Sequence, residues 1–464
     1  MVFSSFPFLW IFLPLVLIGT LLTRKRGNNL FLLAASLIFY AWGEPKYVLL
    51  LLLSITLNYL CGLLLDRMKG TPYRGLMLAA AVVVNLALLG YFKYFNFFTG
   101  ILDDIAGREL IAPRSIALPI GISFYTFQSI SYIVDLYRGT IEVQRSWIDL
   151  ALYISFFPQL VAGPIVKYRE IADALHGRVL SWDRAADGLR RFCYGLAKKV
   201  VIANTLGYTV DQILSHPIEE LSTLLCWTAA VFYTLQIYFD FSGYSDMAIG
   251  LADTLGFKFR ENFDFPYRSL SIREFWRRWH ISLSTWFRDY LYIPLGGNRK
   301  GQARTLLNLL IVFFATGLWH GAQWTFVVWG LYHGFFMILE RLLSAKTKFR
   351  LPSWLSFIYA QLTAVCGWVF FRADDLGMAL RQLRRMFVPT SGGAWSFGEM
   401  TDLVTMIIFV IAVFAALGGG RWIASKVKGS AAAALSSVWV ILCLALSIVL
   451  LANASHNPFI YFRF

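Results

Sequence analysis

Residues 273–321 read REFWRRWHISLSTWFRDYLYIPLGGNRKGQARTLLNLLIVFFATGLWHG, and this stretch is the most informative part of the chain. Its first half mixes arginines with tryptophans and tyrosines, and its second half is almost wholly apolar from Leu306 to Leu318. Basic residues followed by an apolar run of this length are typical of a helix that enters a bilayer from its cytoplasmic face. The stretch therefore predicts a membrane protein with His280 on a basic segment and His320 near the end of a span.

The composition of the whole chain agrees with a membrane protein. Of 464 residues, 58% are hydrophobic and only 15% are charged, which excludes an ordinary soluble domain. The formal net charge of +15 does not indicate nucleic acid, because the basic residues cluster in short loops between apolar runs, where cytoplasmic exposure and anionic lipid headgroups explain them. The five cysteines and six histidines lack ligand spacing, so we predict no disulfide framework and no metal site.

Apolar runs divide the chain into many spans and leave no soluble domain. We predict an all-α polytopic fold, one membrane unit over 1–464 with N-terminal spans (1–115), a catalytic core (116–345) and C-terminal spans (346–464). The first span, residues 1–22, has its positive charges behind it, so its N-terminus should lie outside. Further spans are predicted at about 30–42, 47–65, 75–98, 116–137, 148–166, 194–214, 221–241, 304–319, 322–343, 354–371, 401–419 and 434–452.

Two segments look too broken to cross the bilayer as simple helices. Residues 156–164 combine two prolines with a glycine, and unpaired backbone is tolerable in a membrane only when protein buries it, so we predict a re-entrant hairpin there. Residues 239–252 are a second candidate, because acidic side chains interrupt an apolar run beside Gly243. The polar residues predicted to line or support a cavity are Asp240, Ser242, Tyr244 and Asp246, together with Trp319.

Loop charge predicts the topology. Loops 23–29, 66–74, 167–199, 256–304, 341–350 and 421–428 are basic and should be cytoplasmic, while the acidic pairs at 103–104 and 219–220 fall outside. Segment 372–400 carries Arg381, Arg384 and Arg385 yet also falls outside in a simple count. Either the span count is wrong by one, or this segment is an amphipathic helix on the membrane surface.

The basic stretch permits two interpretations if residues 272–291 form one helix. At 100° per residue, arginines share a sector of ~80° with His280, and aromatic side chains occupy the opposite side. Such a helix could anchor in phospholipid headgroups. Alternatively, its arginines could bind the phosphates of a thioester donor such as acyl-coenzyme A. The residues predicted to bind the donor are Arg273, Arg277 and Arg288.

His320 is the strongest candidate for chemistry. Sixteen residues beyond Arg304, at ~1.5 Å each, place it about 24 Å along a helix, most of the way across the hydrocarbon. An ionisable group at that depth indicates a function unless it is a neutral core histidine hydrogen-bonded to a carbonyl. Near an attacking hydroxyl, its imidazole could act as a general base. On a continuous helix His333 would lie ~220° away from His320, on another face.

At these residues the chain resembles the membrane-bound O-acyltransferases, specifically the bacterial branch that contains the membrane subunit of alginate O-acetylation. Six blocks occur in the family's order, followed by the terminal motif at 459–462: residues 119–128, 158–164, 238–250, 275–299, 317–334 and 368–372. The resemblance assigns the family's near-invariant histidine to His320 and its second histidine to His280. It also implies a helical ring of about 11–13 spans, thinned at its centre, with a cytoplasmic opening for the donor and an outer funnel.

The resemblance implies that the protein transfers an acyl group across the inner membrane. Relatives of this branch are thought to take acetyl from a cytoplasmic donor, acetyl-coenzyme A, with no resident cofactor. They pass it to a periplasmic partner of the SGNH-hydrolase type that acylates a polysaccharide. Local donors such as Trp319, Asn308 and the amides around Gly321 would then stabilise the oxyanion.

Two alternatives stay open. The related teichoic-acid D-alanylation protein uses a carrier-protein thioester, but the two additional apolar spans after residue 400 favour the polysaccharide branch. A transporter or lipid flippase is the second alternative. The sequence lacks the paired discontinuous helices in matching halves that many transporters have.

Overall fold

The computed structural model describes residues 1–23, 27–346, 351–389, 393–427, 430–453 and 460, and among them it contains helices and no strand. The all-α membrane fold predicted from the sequence is therefore confirmed. Part of the predicted cytoplasmic loop 23–29 lies outside the described residues, as does the terminal motif except for Ile460.

The helices follow one another with short connections. In chain order they are α1 (Leu13–Leu22), α2 (Asn28–Gly43), α3 (Val48–Arg67), α4 (Arg74–Leu89), α5 (Phe95–Ala106), α6 (Ile122–Arg138), α7 (Trp147–Ser155), α8 (Phe157–Leu160), α9 (Tyr168–Gly177), α10 (Trp182–Ala197), α11 (Asn204–Leu214), α12 (Thr223–Thr254), α13 (Ile272–Arg278), α14 (Ile281–Phe287), α15 (Gln302–His320), α16 (Trp324–Lys346), α17 (Ser353–Arg372), α18 (Leu376–Phe387), α19 (Phe397–Met400), α20 (Leu403–Ala416), α21 (Gly419–Lys426) and α22 (Ser430–Asn453). Wider π-helical turns precede α1 at Phe8–Phe12, join α4 to α5 at Gly90–Tyr94 and α10 to α11 at Lys198–Ala203, and extend α14 at Arg288–Tyr292.

Seven helices in the described part of the chain are long and apolar enough to cross a membrane, or eight if α20 and α21, bent by 71°, form one span. The chain is thus a multi-pass membrane protein. Other predicted spans became shorter apolar helices, such as Asn28–Gly43, or broken ones. The length of an apolar run could not distinguish a full span from a shorter or broken helix, because helices buried among other helices need not cover the full bilayer.

The chain forms two compact units, and the division of the sequence into 1–115, 116–345 and 346–464 stays a prediction. Unit 1 comprises residues 1–192 and 245–260, and unit 2 comprises residues 193–244 and 261–464. In unit 1 the rings of Phe3, Phe8, Phe12 and Phe39 pack around Phe157 with centroid separations of 5.3–6.4 Å. These rings bury the segment that follows α7.

The hairpin predicted at 156–164 is confirmed as a break in the helix, and its re-entrant course stays a prediction. Helix α7 ends at Ser155, α8 is a single turn, and the backbone then bends at Gly163 before α9 begins at Tyr168. A Cβ at Gly163 would lie 2.5 Å from the carbonyl oxygen of Pro158, so only glycine permits this turn. The segment is buried within protein, which is the condition that unpaired backbone in a membrane protein must meet.

The second predicted break, at 239–252, is wrong. Helix α12 continues through this segment to Thr254. Its acidic side chains are paired instead of disrupting the helix, Asp240 with Lys199 at 2.8 Å and Asp246 with Arg191 at 2.7 Å. Gly243 allows a close helix contact, because a Cβ there would lie 2.7 Å from the carbonyl oxygen of Gly195.

Segment 372–400, whose charge disagreed with the simple topology count, contains the short helix α18. Asp375 caps its start by accepting the N–H of Met378 at 2.7 Å. Arg381 pairs with Glu219 at 3.2 Å, and Arg385 donates to the carbonyl oxygen of Leu221 at 3.1 Å. The positive charge of this segment is therefore partly balanced by Glu219, which belongs to the acidic pair that the span count also places on the outer side of the membrane.

Candidate active site

A glycine contact between α15 and α16 in unit 2 positions His320. A Cβ at Gly317 would lie 2.3 Å from the carbonyl oxygen of Phe326, and a Cβ at Gly330 would lie 2.3 Å from that of Phe313. Two helices that meet at glycine backbone on both sides leave little freedom for sliding. Helix α15 ends at His320, as the sequence predicted, and the chain turns back at once into α16.

His320 lies in an aromatic cage and is only 6% exposed. Its ring centroid is 4.8 Å from that of Trp319, 5.1 Å from that of Trp329 and 5.1 Å from that of Phe371. All three neighbours meet the imidazole edge to face, the arrangement that aromatic quadrupoles favour. The cage fixes the plane of the imidazole ring.

His280 does not lie on a continuous basic helix, so that part of the sequence prediction is wrong. Helix α13 ends at Arg278 and α14 begins at Ile281. His280 caps α14 in the left-handed region, with φ 43°, and is fully buried. Asn262 supports the break: its carbonyl oxygen accepts the N–H of Ile281 at 2.9 Å, and its side chain accepts from the Ser282 hydroxyl at 2.9 Å. No proline or glycine marks this break in the sequence.

The buried imidazole of His280 has a defined protonation state. Burial lowers the pKa of His280 to about 3, so the ring is neutral at physiological pH. Its Nδ1 accepts the backbone N–H of Leu283 at 3.3 Å, and the hydrogen-bond pattern therefore assigns the proton to Nε2. In this tautomer Nε2 is a donor and cannot act as a base.

Both candidate histidines contact the same ring. Trp319 lies 6.0 Å from His280 and 4.8 Å from His320 between ring centroids. Phe241, from α12, packs against His280, with 4.6 Å between the two ring centroids. The fold thus brings together two histidines that are forty positions apart in the sequence.

His333 also belongs to this cluster, contrary to the separation expected on a continuous helix. Because α15 and α16 are separate helices, His333 and His320 contact the same Trp329 ring, at 5.2 and 5.1 Å. His333 is fully buried, and among the described residues neither of its ring nitrogens has a hydrogen-bond partner. The sequence did not indicate this packing.

The three arginines predicted to bind a donor are exposed, but they do not share one helix face. Arg273 and Arg277 lie on α13, whereas Arg288 begins the π-helical turn after α14 and pairs with Asp289 at 2.8 Å. The break at His280 separates the two groups. Donor binding by these residues stays a prediction.

Of the polar residues predicted near the site, Asp240 forms a buried ion pair. Asp240 and Lys199 are both 3% exposed, and the Lys199 amine also donates to Asn204 at 2.8 Å. The second carboxylate oxygen of Asp240 accepts the N–H of Ile460 at 2.8 Å. Lys199, which lies in a π-helical turn, was missed by the sequence reasoning. A role for Ser242, Tyr244 and Asp246 at the site stays a prediction.

Asn308 is not an oxyanion donor. It lies twelve residues before His320 on α15, about 18 Å away along the helix axis. Its amide donates to the carbonyl oxygen of Gly297 at 2.9 Å and so holds the turn that precedes α15. Within the described residues no group of histidine, cysteine and acidic side chains could hold a metal ion.

Comparison with known proteins connects this site to one family. Residues 142–371, which include both His280 and His320, match the model of the membrane-bound O-acyltransferase family. The chain is 42% identical to a probable alginate O-acetylase of Pseudomonas putida over the full length of both. It is 37% identical to a peptidoglycan O-acetyltransferase of Helicobacter pylori, over 83% of this chain and 80% of the relative. It is 27% identical to a teichoic acid D-alanyltransferase of Bacillus subtilis, over 72% of this chain and 87% of that protein.

Proposed function

We propose that this chain, which belongs to the membrane-bound O-acyltransferase family and is a membrane O-acyltransferase, moves acetyl from a cytoplasmic thioester across the inner membrane. The acetyl group would serve the O-acetylation of an exported polysaccharide. Acetyl-coenzyme A is the proposed donor, and alginate or a similar polymer is the proposed acceptor. The observation that carries the proposal is the contact of both His280 and His320 with Trp319, at the end of a membrane-length helix.

The proposed chemistry uses His320 as the base. The imidazole of His320 takes the proton of an acceptor hydroxyl as the hydroxyl oxygen attacks the thioester carbonyl carbon. The tetrahedral intermediate then collapses, the C–S bond breaks, and the departing thiolate regains a proton from the imidazolium. His280, neutral and protonated on Nε2, is suited to donate a hydrogen bond to negative charge that develops near it.

Acetyl transfer is favoured over D-alanyl transfer. The acetylating relatives are 42% and 37% identical to this chain, whereas the D-alanylating relative is 27% identical. Membership in a family of acyltransferases also argues against the transporter or flippase alternative. We propose that the acetyl group reaches its final polysaccharide acceptor through a periplasmic partner of the SGNH-hydrolase type.

The proposed orientation places the N-terminus in the periplasm. Three contacts between distant segments are consistent with it, because each joins two segments that the predicted topology places on the same side. Asn29 contacts Arg178, Arg421 pairs with Asp264 at 3.6 Å, and Glu219 pairs with Arg381.

Thiol release by the purified protein, supplied with acetyl-coenzyme A and acceptor, tests the proposal. We expect His320→Gln to abolish turnover. His216→Gln is the matched control and should keep turnover, because His216 packs against Trp395 and not, among the described residues, against the rings that surround His320. Turnover in His320→Gln at the wild-type rate would overturn the assignment. Release from a D-alanyl carrier-protein thioester, with none from acetyl-coenzyme A, would favour the second transfer reaction.

The exposed arginines need a separate measurement. If they bind the donor, Arg277→Gln and Arg288→Gln should raise the donor's KM more than they lower kcat. Arg108→Gln, an exposed arginine in a loop predicted on the opposite side, is the matched control. An unchanged KM in both variants would favour lipid anchoring.

A further inference from the structure

Unit 1 contains a cavity of about 470 Å³ that the proposed acyl transfer does not use. It opens where the first residues of α2 and α7 meet the end of α9. Cavities of this size hold small molecules or parts of larger ones. Its polar lining consists of Asn28, Asn29, Ser146, Asp149, His176 and Arg178.

The cavity holds one fixed positive and one fixed negative group. The Arg178 guanidinium lies over the ring of Phe257 at 4.6 Å and donates to the side-chain oxygens of Asn28 and Asn29. The amide nitrogen of Asn29 donates to a carboxylate oxygen of Asp149 at 2.6 Å. Asn29 thus holds both charged groups in place and keeps them about one amide group apart.

Arg178 retains capacity for a ligand. Three of its five guanidinium N–H groups donate to Asn28, Asn29 and the carbonyl oxygen of Ala174. This leaves one N–H on Nη2, together with the Nε–H, which is shielded from solvent and has no hydrogen-bond partner among the described residues. A guanidinium whose stem and ring face are already fixed loses little freedom when it binds a phosphate. The pairing of a cation with a carboxylate in one cavity fits a ligand that carries both signs of charge.

The rim of the cavity is apolar and faces outward. Leu30 and Ile148 line the cavity and are 55% and 36% exposed. Nearby in the chain, Leu22 at the end of α1 is 80% exposed and Trp182 at the start of α10 is 74% exposed. In a multi-pass membrane protein, exposed leucine and tryptophan at helix ends are typical of the level where acyl chains meet headgroups.

We propose that this cavity binds the phosphoethanolamine headgroup of a membrane phospholipid. Arg178 would bind the phosphate, Asp149 would face the ammonium group, and the acyl chains would lie along the apolar rim. Basic pockets between membrane helices commonly bind lipid headgroups, and the carboxylate here selects a zwitterionic headgroup over an anionic one. The site does not depend on the proposed acyl transfer.

The test measures lipid retention by the purified protein in nanodiscs that contain equal amounts of phosphatidylethanolamine and phosphatidylglycerol, with native mass spectrometry as the readout. We expect wild type to retain phosphatidylethanolamine preferentially. Arg178→Gln should weaken retention about tenfold, because a charge-assisted contact to phosphate is lost. Asp149→Asn should reverse the preference towards phosphatidylglycerol. Arg190→Gln and Asp187→Asn, an exposed ion pair on α10, are the matched controls and should change neither result.

Asp149→Asn carries the test if Arg178→Gln fails to fold, since it keeps the shape of the side chain and the oxygen that accepts from Asn29. An unchanged lipid ratio in Asp149→Asn would overturn the proposal, as would a wild-type preference for phosphatidylglycerol. Free phosphoethanolamine distinguishes the source of the ligand. If it displaces the lipid at concentrations comparable to the lipid's own, the cavity binds a soluble phosphoester and the lipid assignment fails.

Discussion

Replacing Gly317 with alanine should disable the site without touching a histidine. The new Cβ would lie 2.3 Å from the carbonyl oxygen of Phe326, whereas ordinary contact begins at 3.4 Å. Because the obstacle is backbone, α15 and α16 must separate locally by about 1 Å, at a cost of about 1–3 kcal/mol. His320 ends α15 and contacts Trp329 of α16, so the separation displaces the imidazole. A displacement of this size costs about 100-fold in rate.

The assay is thiol release from acetyl-coenzyme A, with thermal unfolding measured on the same detergent-solubilised preparation. Gly317→Ala should lose activity well beyond its loss of stability, and Gly330→Ala should behave alike because its Cβ would meet Phe313. Gly100→Ala is the control, since nothing lies within 4 Å of its added Cβ. A Gly317→Ala protein with kcat/KM within about twofold of wild type would refute the claim that this contact sets the rate.

Three further predictions concern buried groups. Lys199→Met alone or Asp240→Leu alone should destabilise the protein by about 3–5 kcal/mol, and the double variant should recover most of that loss. His280, whose folded pKa of about 3 lies below its unfolded value of 6.5, should make the free energy of unfolding fall by up to about 1.4 kcal/mol per pH unit as the pH drops below 6.5. His280→Gln should flatten this slope in thermal unfolding between pH 6.5 and pH 5, which lies within the range bounded by these two pKa values. Asn262→Ala should lower kcat and stability together, because it releases the turn that places His280.

Each of these has a contrary outcome. A double variant at Lys199 and Asp240 as unstable as both single variants added together would mean that the two charges do not stabilise one another. A His280→Gln protein with the wild-type slope would place the titrating group elsewhere. Full activity in Asn262→Ala would mean that the turn at His280 forms without the Asn262 side chain.

Contacts made by residues far apart in the sequence account for the errors of prediction. The helix break at His280 depends on Asn262, and its left-handed backbone carries neither glycine nor proline as a signal. The continuity of α12 depends on Lys199 and Arg191, which neutralise acidic residues that looked disruptive. Pattern analysis along one segment cannot detect a partner that another segment supplies.

The amino-acid sequence alone was enough to predict the membrane class, most span positions, the helix break near Pro158 and the place of His320 at the end of a helix. These features follow from local hydrophobic length, charge and backbone restriction, which each segment carries alone. The burial and neutral state of His280, and its contact with the same Trp319 ring that His320 contacts, became apparent only in the folded structure. Burial and ring contacts depend on which helices pack together, and that choice is made by the whole chain.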